Sequence, residues 1–437
     1  MKTFDFTPAD TLFCRDQRPL EGGHSFGHGA NWPLPTVVHS AVRTALLTAA
    51  GCLPKNKNQP GHNRRGTPRG RIGTAAFQWL NILGPFPVDG DGKGETYFPI
   101  PRDLVPKDKT EKPPPDYLRI ISNHGTNDLP KPLTCLVASF AEPSKEALSD
   151  WVSLDFYNRY LAGDALDYQV RANLWDTEHR IGVAINPETH TAVEGRLYAA
   201  EHLRVRDGVK LRFALSDPPT HKARNTDEGE ITAANLQDRV LQLGGEQRFG
   251  RIEPGGELRL PKVTVSGTLI KWVLLTPSIF VGGWLPGWID PDTGAVKLRV
   301  INKEERRPLR RQRYEAGWKY DDSTDKAERI SATLVAACVG KPQVVGGWEL
   351  IGDADESGNP RAPGGKATHL AVPSGSVYYF KADSEPDAQK LAKALHDRCR
   401  SDFFGEKGLG LGVCGTWAQQ DATSGNVPAV ATNLKTS

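Results

Sequence analysis

The stretch "GEKGLGLGVCGTW", residues 405–417, constrains the fold more than any other part of the chain. It contains G-x-G-x-x-G at Gly410, Gly412 and Gly415, the spacing of a dinucleotide-binding turn. That motif must open a βαβ unit, yet it follows a helix-like segment and only about twenty residues remain after Trp417. A dinucleotide fold is thereby excluded. Read with a period of two, Gly408, Gly410 and Gly412 fall on one face of a strand and Leu409, Leu411 and Val413 on the other. The strand is bare on one side, so something approaches its backbone: a packed helix or bulge of the protein itself, or a nucleic acid meeting the peptide groups.

The remaining pattern is α+β. Val38, Ala41, Val42, Ala45, Leu46 and Ala49 recur at helical spacing and predict a helix over 36–50, capped by Thr36 and stopped by Gly51. Further helices are predicted over 144–162, ended by Gly163, and over 232–243, with Leu236, Val240 and Leu243 inward. A fourth starts at "SEPD" (384–387) and buries Ala388, Leu391, Ala392 and Leu395. Between them Ile181, Val183 and Ile185 alternate as in a strand and "NPETHT" turns the chain. Leu203 and Val205 lead to Asp207-Gly208, a hairpin signal, and to the alternating Val209, Leu211, Phe213 and Leu215. The second half opens with a strand over 263–276 and again ends in a helix followed by a strand. Two similar α+β units are expected, in keeping with 437 residues, which exceed what one core holds. No fixed-period repeat accompanies them; only "GGW" recurs, at 282–284 and 346–348.

Net charge is only +3, so affinity for polyanions must come from clusters. Residues 54–71 carry six cations and no acid, and residues 303–313 carry six cations against two acids. Each reads as a solvated arm or a phosphate-binding arm; Arg64, Arg65, Arg69 and Arg71 are the candidates in the first. Cys14, Cys52, Cys135, Cys338, Cys399 and Cys414 form no C-x-x-C pair, which suggests reduced thiols in a cytoplasmic protein rather than a disulfide or zinc framework. The N-terminus "MKTFDFTPAD" lacks a signal-peptide core, and no apolar run suits a membrane span. No cofactor motif, Walker loop or nucleophile elbow is present, and Glu304-Glu305 and Asp321-Asp322 read as solvated loop charges.

Residues 10–36, "DTLFCRDQRPLEGGHSFGHGANWPLPT", admit several readings. A metal site would use His24 and His28 with Cys14 or His39, but the histidines lie in a glycine-rich loop without a fourth ligand. A metal-independent ribonuclease would use His24, His28 or His39 as general base. A phosphate and base clamp would use Arg15, Arg18 and Arg43 to neutralise charge, with Gly22, Gly23, Gly27 and Gly29 admitting a backbone. A purely structural reading pairs Asp16 with Arg18 or Arg43. Trp284, Trp288 and Trp348, each beside glycine, read as partner-interface or core anchors.

Several motifs in order carry a resemblance: "DTLFCRDQRPL", "YFPIPRDLV" (97–105), "HRIGVAINPETHTAVEGRLYAAEHLR" (179–204), "LGGEQR" (243–248), "GKPQVVGGWEL" (340–350), "VPSGSVYYF" (372–380) and the C-terminal glycines. With these the chain resembles the third-subunit family of Cmr complexes, within the RAMP superfamily of type III-B CRISPR effectors. The resemblance implies two ferredoxin-like, RRM-type domains, 1–262 with a basic insertion at 54–74 and 263–417 with the glycine-rich loop, followed by a flexible tail, 418–437. It implies a non-catalytic subunit in antiviral defence that binds the 5′ tag of CRISPR RNA, contacts the large polymerase-like subunit and starts the RAMP backbone filament. Gly244, Gly245 and Arg248, His24, His28 and His39, and Gly408, Gly410 and Gly412 then join the arginines as RNA-binding candidates, and the three tryptophans become candidates for the subunit interface. The basic insertion and the tail match no motif of the family.

Overall fold

The computed structural model describes residues 1–14, 26–27, 32–50, 77, 79–89, 94–107, 110, 112–122, 128–139, 148–169, 172–216, 236, 240–300, 328–349, 364–365 and 367–420. The principal strands of the first half are β1 (Lys2–Pro8), β2 (Ile82–Asp89), β3 (Trp175–Ile185), β4 (Ala192–Val205), β5 (Val209–Leu215), β6 (Val240–Gln242) and β7 (Phe249–Pro254). The second half contributes β8 (Leu269–Leu274), β9 (Ala332–Cys338), β10 (Val377–Ala382), β11 (Arg398–Cys399) and β12 (Leu411–Thr416). Among the described residues the helices are α1 (Pro35–Ala49), α2 (Leu154–Ala162) and α3 (Glu385–Leu395). The fold is mixed, mostly strands with few helices.

Two five-stranded antiparallel sheets organise the chain, ordered β6-β7-β1-β5-β2 and β9-β10-β8-β12-β11. In both, the first strand of its half is central. Alternation turns Phe4 and Phe6 of β1, Leu211, Phe213 and Leu215 of β5 and Ile252 of β7 toward Val38, Val42 and Leu46 of α1. In the second sheet Ile270, Trp272 and Leu274 of β8 meet Leu391 and Leu395 of α3 in the same manner. The other face of that sheet is also buried. Val273, Tyr379, Leu411 and Val413 pack with Phe156, Tyr157, Tyr160 and Leu161 of α2 and with Phe86 of β2. This middle core therefore takes side chains from both halves of the sequence.

A polar hub lies inside it. The buried Asp103 carboxylate accepts hydrogen bonds from the Tyr160 hydroxyl and the Tyr379 hydroxyl, each at 2.7 Å. Lys271 donates from Nζ to the Tyr160 carbonyl at 2.8 Å, with Nζ 3.4 Å from the centroid of the Tyr160 ring. Burial pushes the Lys271 ammonium down to about 8, because a cation out of water is disfavoured. The hub joins residues far apart in sequence and satisfies each of these charged groups.

The helix expectations fare unevenly. α1 forms where periodicity places it, but Leu34 rather than Thr36 is its N-cap, and Pro35 opens the first turn with its φ already fixed. α3 starts as expected, with the Ser384 hydroxyl accepting from the Asp387 amide at 3.3 Å. The helix predicted over 144–162 is shorter: Trp151–Ser153 is a strand, Ser153 caps α2, and Gly163 ends it in the left-handed conformation. Of the helix predicted over 232–243, the described end is strand β6, where Leu241 is buried and Val240 is exposed. Pairing with β7 decides that segment, since period two puts Leu241 inward and leaves Val240 and Gln242 outward. Likewise β8 is shorter than the expected 263–276, and Asp207-Gly208 turns the chain without making a hairpin. β4 pairs with β3, whereas β5 belongs to the first sheet, so the turn passes the chain from one sheet to the other.

Candidate nucleic-acid interface

The chain leaving β1 is clamped before it enters the opening segment. The Ala9 amide donates to the Phe249 carbonyl at 3.0 Å, and Leu12 and Leu203 exchange backbone hydrogen bonds at 2.8 Å. The Gly245 amide donates to the Phe13 carbonyl at 2.8 Å. Gly244 has φ +89°, and a Cβ there would lie 2.6 Å from the Phe13 oxygen, so both conformation and space demand glycine. Glu246 and Gln247 follow with positive φ, and the Arg248 amide closes the turn on the Gly245 carbonyl at 3.2 Å. "LGGEQR" is thus a tight turn that aims Glu246 and Arg248 at the root of the opening segment.

Around Asp10 three guanidiniums converge. Arg180 Nη2 meets Asp10 Oδ2 at 3.0 Å, Arg204 Nη2 meets Oδ1 at 3.1 Å and Arg248 Nη1 meets Oδ2 at 3.1 Å. Glu178 splints two of them from below, accepting from Arg180 Nε at 2.7 Å and from Arg204 Nε. Strand alternation explains the set: Glu178 and Arg180 on β3 and His202 and Arg204 on β4 fall on alternate positions of a paired hairpin. The Arg180 hydrogen bond, reinforced by Arg204, holds the Asp10 carboxyl below the usual carboxylate range, and the Arg204 and Arg180 hydrogen bonds do the same to Glu178. The carboxylates balance the arginines yet occupy only some of their donors. Each guanidinium has five N–H groups in a planar fork, so partly exposed arginines held this way are pre-oriented for phosphate oxygens.

His202 sits beneath this array. Its ring stacks on Phe13 with centroids 4.9 Å apart, Nδ1 lies 3.1 Å from Thr11 Oγ1, and Nε2 lies 3.3 Å from Glu246 Oε2. Burial lowers its pKa and favours the neutral ring. At the other end of the opening segment, Phe26 and Gly27 pair in parallel with Ala199 and Ala200 of β4. Trp32 packs against Trp175 at 4.9 Å and Trp151 at 5.6 Å and donates from Nε1 to the Pro85 carbonyl at 2.9 Å. Both roots of the segment therefore rest on the β3–β4 hairpin.

A family model for "CRISPR-associated protein (Cas_Cmr3)" matches residues 4–417. The chain belongs to the Cas_Cmr3 family. Membership makes this Cas_Cmr3 chain a subunit of a Cmr complex. Among solved structures it is similar, at 13% identity and TM-score 0.44, to a chain of the Type III-B Cmr-β complex bound to cognate target RNA and AMPPnP in state 1, over 94% of this chain and 95% of that one. The Type III-B Cmr-β complex bound to cognate target RNA gives TM-score 0.42 at 13% identity, with 94% and 95% coverage. A Csm3–Csm4 subcomplex of the type III-A CRISPR-Cas interference complex gives TM-score 0.34 at 13% identity, covering 88% of this chain and 93% of that one. No curated protein matches the sequence.

In this Cas_Cmr3 chain the glycine segment departs from the expected bare strand. Gly408 and Gly410 precede β12 in left-handed turns, with φ +86° and +75°, and only Gly412 lies within the strand. The protein fills the space beside all three. A Cβ on Gly408 would meet Pro35 at 2.8 Å, one on Gly410 would meet Ser401 Cβ at 2.9 Å, and one on Gly412 would overlap the Trp272 indole. The close approach read from the sequence is made by the chain itself, and these buried glycines present no backbone to a ligand in this conformation. The Gly408 contact does bring the glycine turn against Pro35, at the end of the opening segment.

His39 is also corrected. It is buried on α1 with Nε2 3.2 Å from the Leu80 carbonyl, and burial pushes it down to about 4. The ring is enclosed by the protein in this structure. Arg43, one turn on, is partly buried, and burial lowers its pKa. Trp288 packs on the core in this structure: it stacks on Phe380 at 6.0 Å, meets Trp272 edge-on at 5.5 Å and donates to the Arg400 carbonyl at 3.3 Å. Trp284 packs partly buried against the same core, and its carbonyl accepts from the Tyr378 hydroxyl at 2.6 Å. The Trp348 backbone lies in a short strand paired with Gly365. Arg15, Arg18, Gly22, Gly23, His24, His28 and Gly29, and Arg64, Arg65, Arg69 and Arg71, lie outside the described residues, as do the 54–74 insertion and nearly all of the tail. Among the described residues no cluster of ligating side chains suits a metal ion, and no helix is long and apolar enough to cross a membrane.

Asp10, Glu178, Arg180, His202 and Arg204 were not candidates in the sequence. Their signal was there in the alternation of "EHR" and "HLR", four of the five side chains sharing one face once the hairpin pairs.

Proposed function

We propose that this Cas_Cmr3 chain is a non-catalytic, RNA-binding subunit of a type III-B CRISPR effector complex. It holds the 5′ tag of CRISPR RNA, contacts the large polymerase-like subunit and starts the RAMP backbone filament in a cytoplasmic ribonucleoprotein. The observation that carries the reading is the Arg180, Arg204 and Arg248 array fixed on Asp10 at the root of the opening segment, where Arg15 and Arg18 follow in sequence. Arginines positioned by carboxylates serve recognition of phosphates rather than bond cleavage, and the burial of His39 takes away one candidate base. The two sheets, each with its own helix, fit a pair of ferredoxin-like domains divided near 262.

The test is binding of single-stranded RNA carrying the authentic tag against the same RNA with the tag scrambled. Tighter binding of the authentic RNA, with no cutting of repeat precursor in chelator, is expected. Equal binding of the two would remove the tag from the proposal, and site-specific cutting would make the chain a ribonuclease.

A further inference from the structure

The arginine array is neutral as it stands. Arg180, Arg204 and Arg248 face Asp10, Glu178 and Glu246, so three guanidiniums meet three carboxylates and no net charge is left to draw a phosphate. Glu246 is the loosest of the three carboxylates. Its Oε2 lies 3.4 Å from Arg248 Nη2, the longest ion pair of the array, and 3.3 Å from His202 Nε2. One carboxylate oxygen is thus shared between a cation and a ring that can become one.

His202 is fully enclosed, with Phe13 stacked on it and Thr11 Oγ1 at Nδ1. Yet Nε2, although buried, makes no hydrogen bond, and neither does the buried Nε of Arg248. Unsatisfied buried nitrogens are costly, and a proton on Nε2 turns one of them into a donor facing Glu246. Glu246 sits on a turn with its side chain partly exposed, which leaves it room to swing from Arg248 to the ring.

The charged groups around the ring are Glu246 and Arg248 of the turn, Glu178 and Arg180 of β3, Arg204 of its own strand and Asp10 before the opening segment. Burial lowers the His202 pKa, Glu246 opposes that shift, and Arg248 and Arg180 add to it. A phosphate arriving on the array places negative charge beside the ring and favours the protonated form. Linkage is reciprocal, so the proton in turn favours the phosphate.

We propose that phosphate binding at the Arg180, Arg204 and Arg248 array is coupled to protonation of His202, which draws Glu246 off Arg248 and leaves the array with a net positive charge. The proton comes from solvent, and His202 and Glu246 act as positioning residues for Arg248. The proposal rests on the RNA-binding reading above and names the regulation of that site.

The test measures binding of the full chain to cyanine-labelled oligouridylate, whose dye and bases do not titrate between about pH 5 and pH 8, the range in which a histidine changes charge. Wild type is expected to bind more tightly as the pH falls, by at most about tenfold per pH unit, the limit for one linked proton. His202→Gln should flatten this profile. Glu246→Gln, which removes the shared carboxylate, should bind near neutral pH as tightly as wild type does in mild acid. Histidine-labelled wild type gives a reading free of any variant's folding: the His202 ring should titrate at higher pH with oligouridylate bound than without. An unshifted titration, or a wild-type profile that survives in both variants, overturns the coupling. An equal loss at every pH in His202→Gln would mean that the ring only braces the hairpin, and the coupling fails. If wild type binds with a salt dependence but equally at every pH, the RNA-binding reading stands without the coupling; if it binds at no pH, both fall together.

Discussion

Gly412 lies flat against the Trp272 indole, and any side chain at that position would occupy the space of the ring. The strand that looks bare in the sequence is therefore the seat of the largest buried side chain beneath the second sheet. Gly412→Ala should destabilise the protein by about 1–3 kcal/mol, the usual effect of overpacking. Thermal unfolding of the variant checks this. A melting temperature equal to wild type with RNA binding lost would return the glycine to a ligand-facing role.

Removing Arg180 and Arg204 together should weaken single-stranded RNA binding regardless of sequence. The slope of log affinity against log salt should fall by about two, one for each phosphate that is no longer neutralised. Titrations at several salt concentrations, with circular dichroism to show the fold intact, decide it. An unchanged slope would mean that the array only braces the hairpin.

His39 makes stability depend on pH. Its folded pKa, pushed down to about 4, lies below the ordinary 6.5, so the unfolded chain binds the proton more readily between those values. Stability present above about 6.5 is therefore lost as the pH falls toward about 4, by about 2–3 kcal/mol at the end. Urea unfolding at neutral and mildly acidic pH should show this loss, and His39→Gln should reduce it. A variant that loses stability on acidification as steeply as wild type would assign the effect elsewhere, with His202 the next candidate because burial lowers its pKa too.

Trp288→Ala should act on the fold before it acts on assembly. The ring is partly buried against Trp272 and Phe380, so a loss of about 2–3 kcal/mol is expected, less than for a fully buried tryptophan. Near-ultraviolet circular dichroism and melting temperature should change together. A native spectrum with weakened capture of the large subunit would restore the interface role.

What the sequence displayed follows from how local each signal is. α1 and α3 were legible because their inward faces are set by residues three and four apart, and the Ile181, Val183, Ile185 strand because period two survives without knowledge of its neighbour. β6 was not, because Val240 and Leu243 fit a helical template and only pairing with β7 distinguishes the two. The glycine segment disclosed that something packs closely but not what, since Trp272 lies more than a hundred residues away. The Asp10 array was invisible for the same reason: its members come from the end of β1, both arms of a hairpin and a turn before β7, and only the folded chain assembles them.

The middle core also sets an order of events at the ribosome. Phe98, Tyr157 and Tyr160 leave the exit tunnel early, but Tyr379, Leu411, Val413 and Trp417, which close over them, are made near the end of synthesis. Synthesis runs at about 5–20 residues per second, so α2 waits many seconds with its apolar face uncovered. Loss of the last strand by a premature stop would therefore uncover core residues of the first half as well as the second.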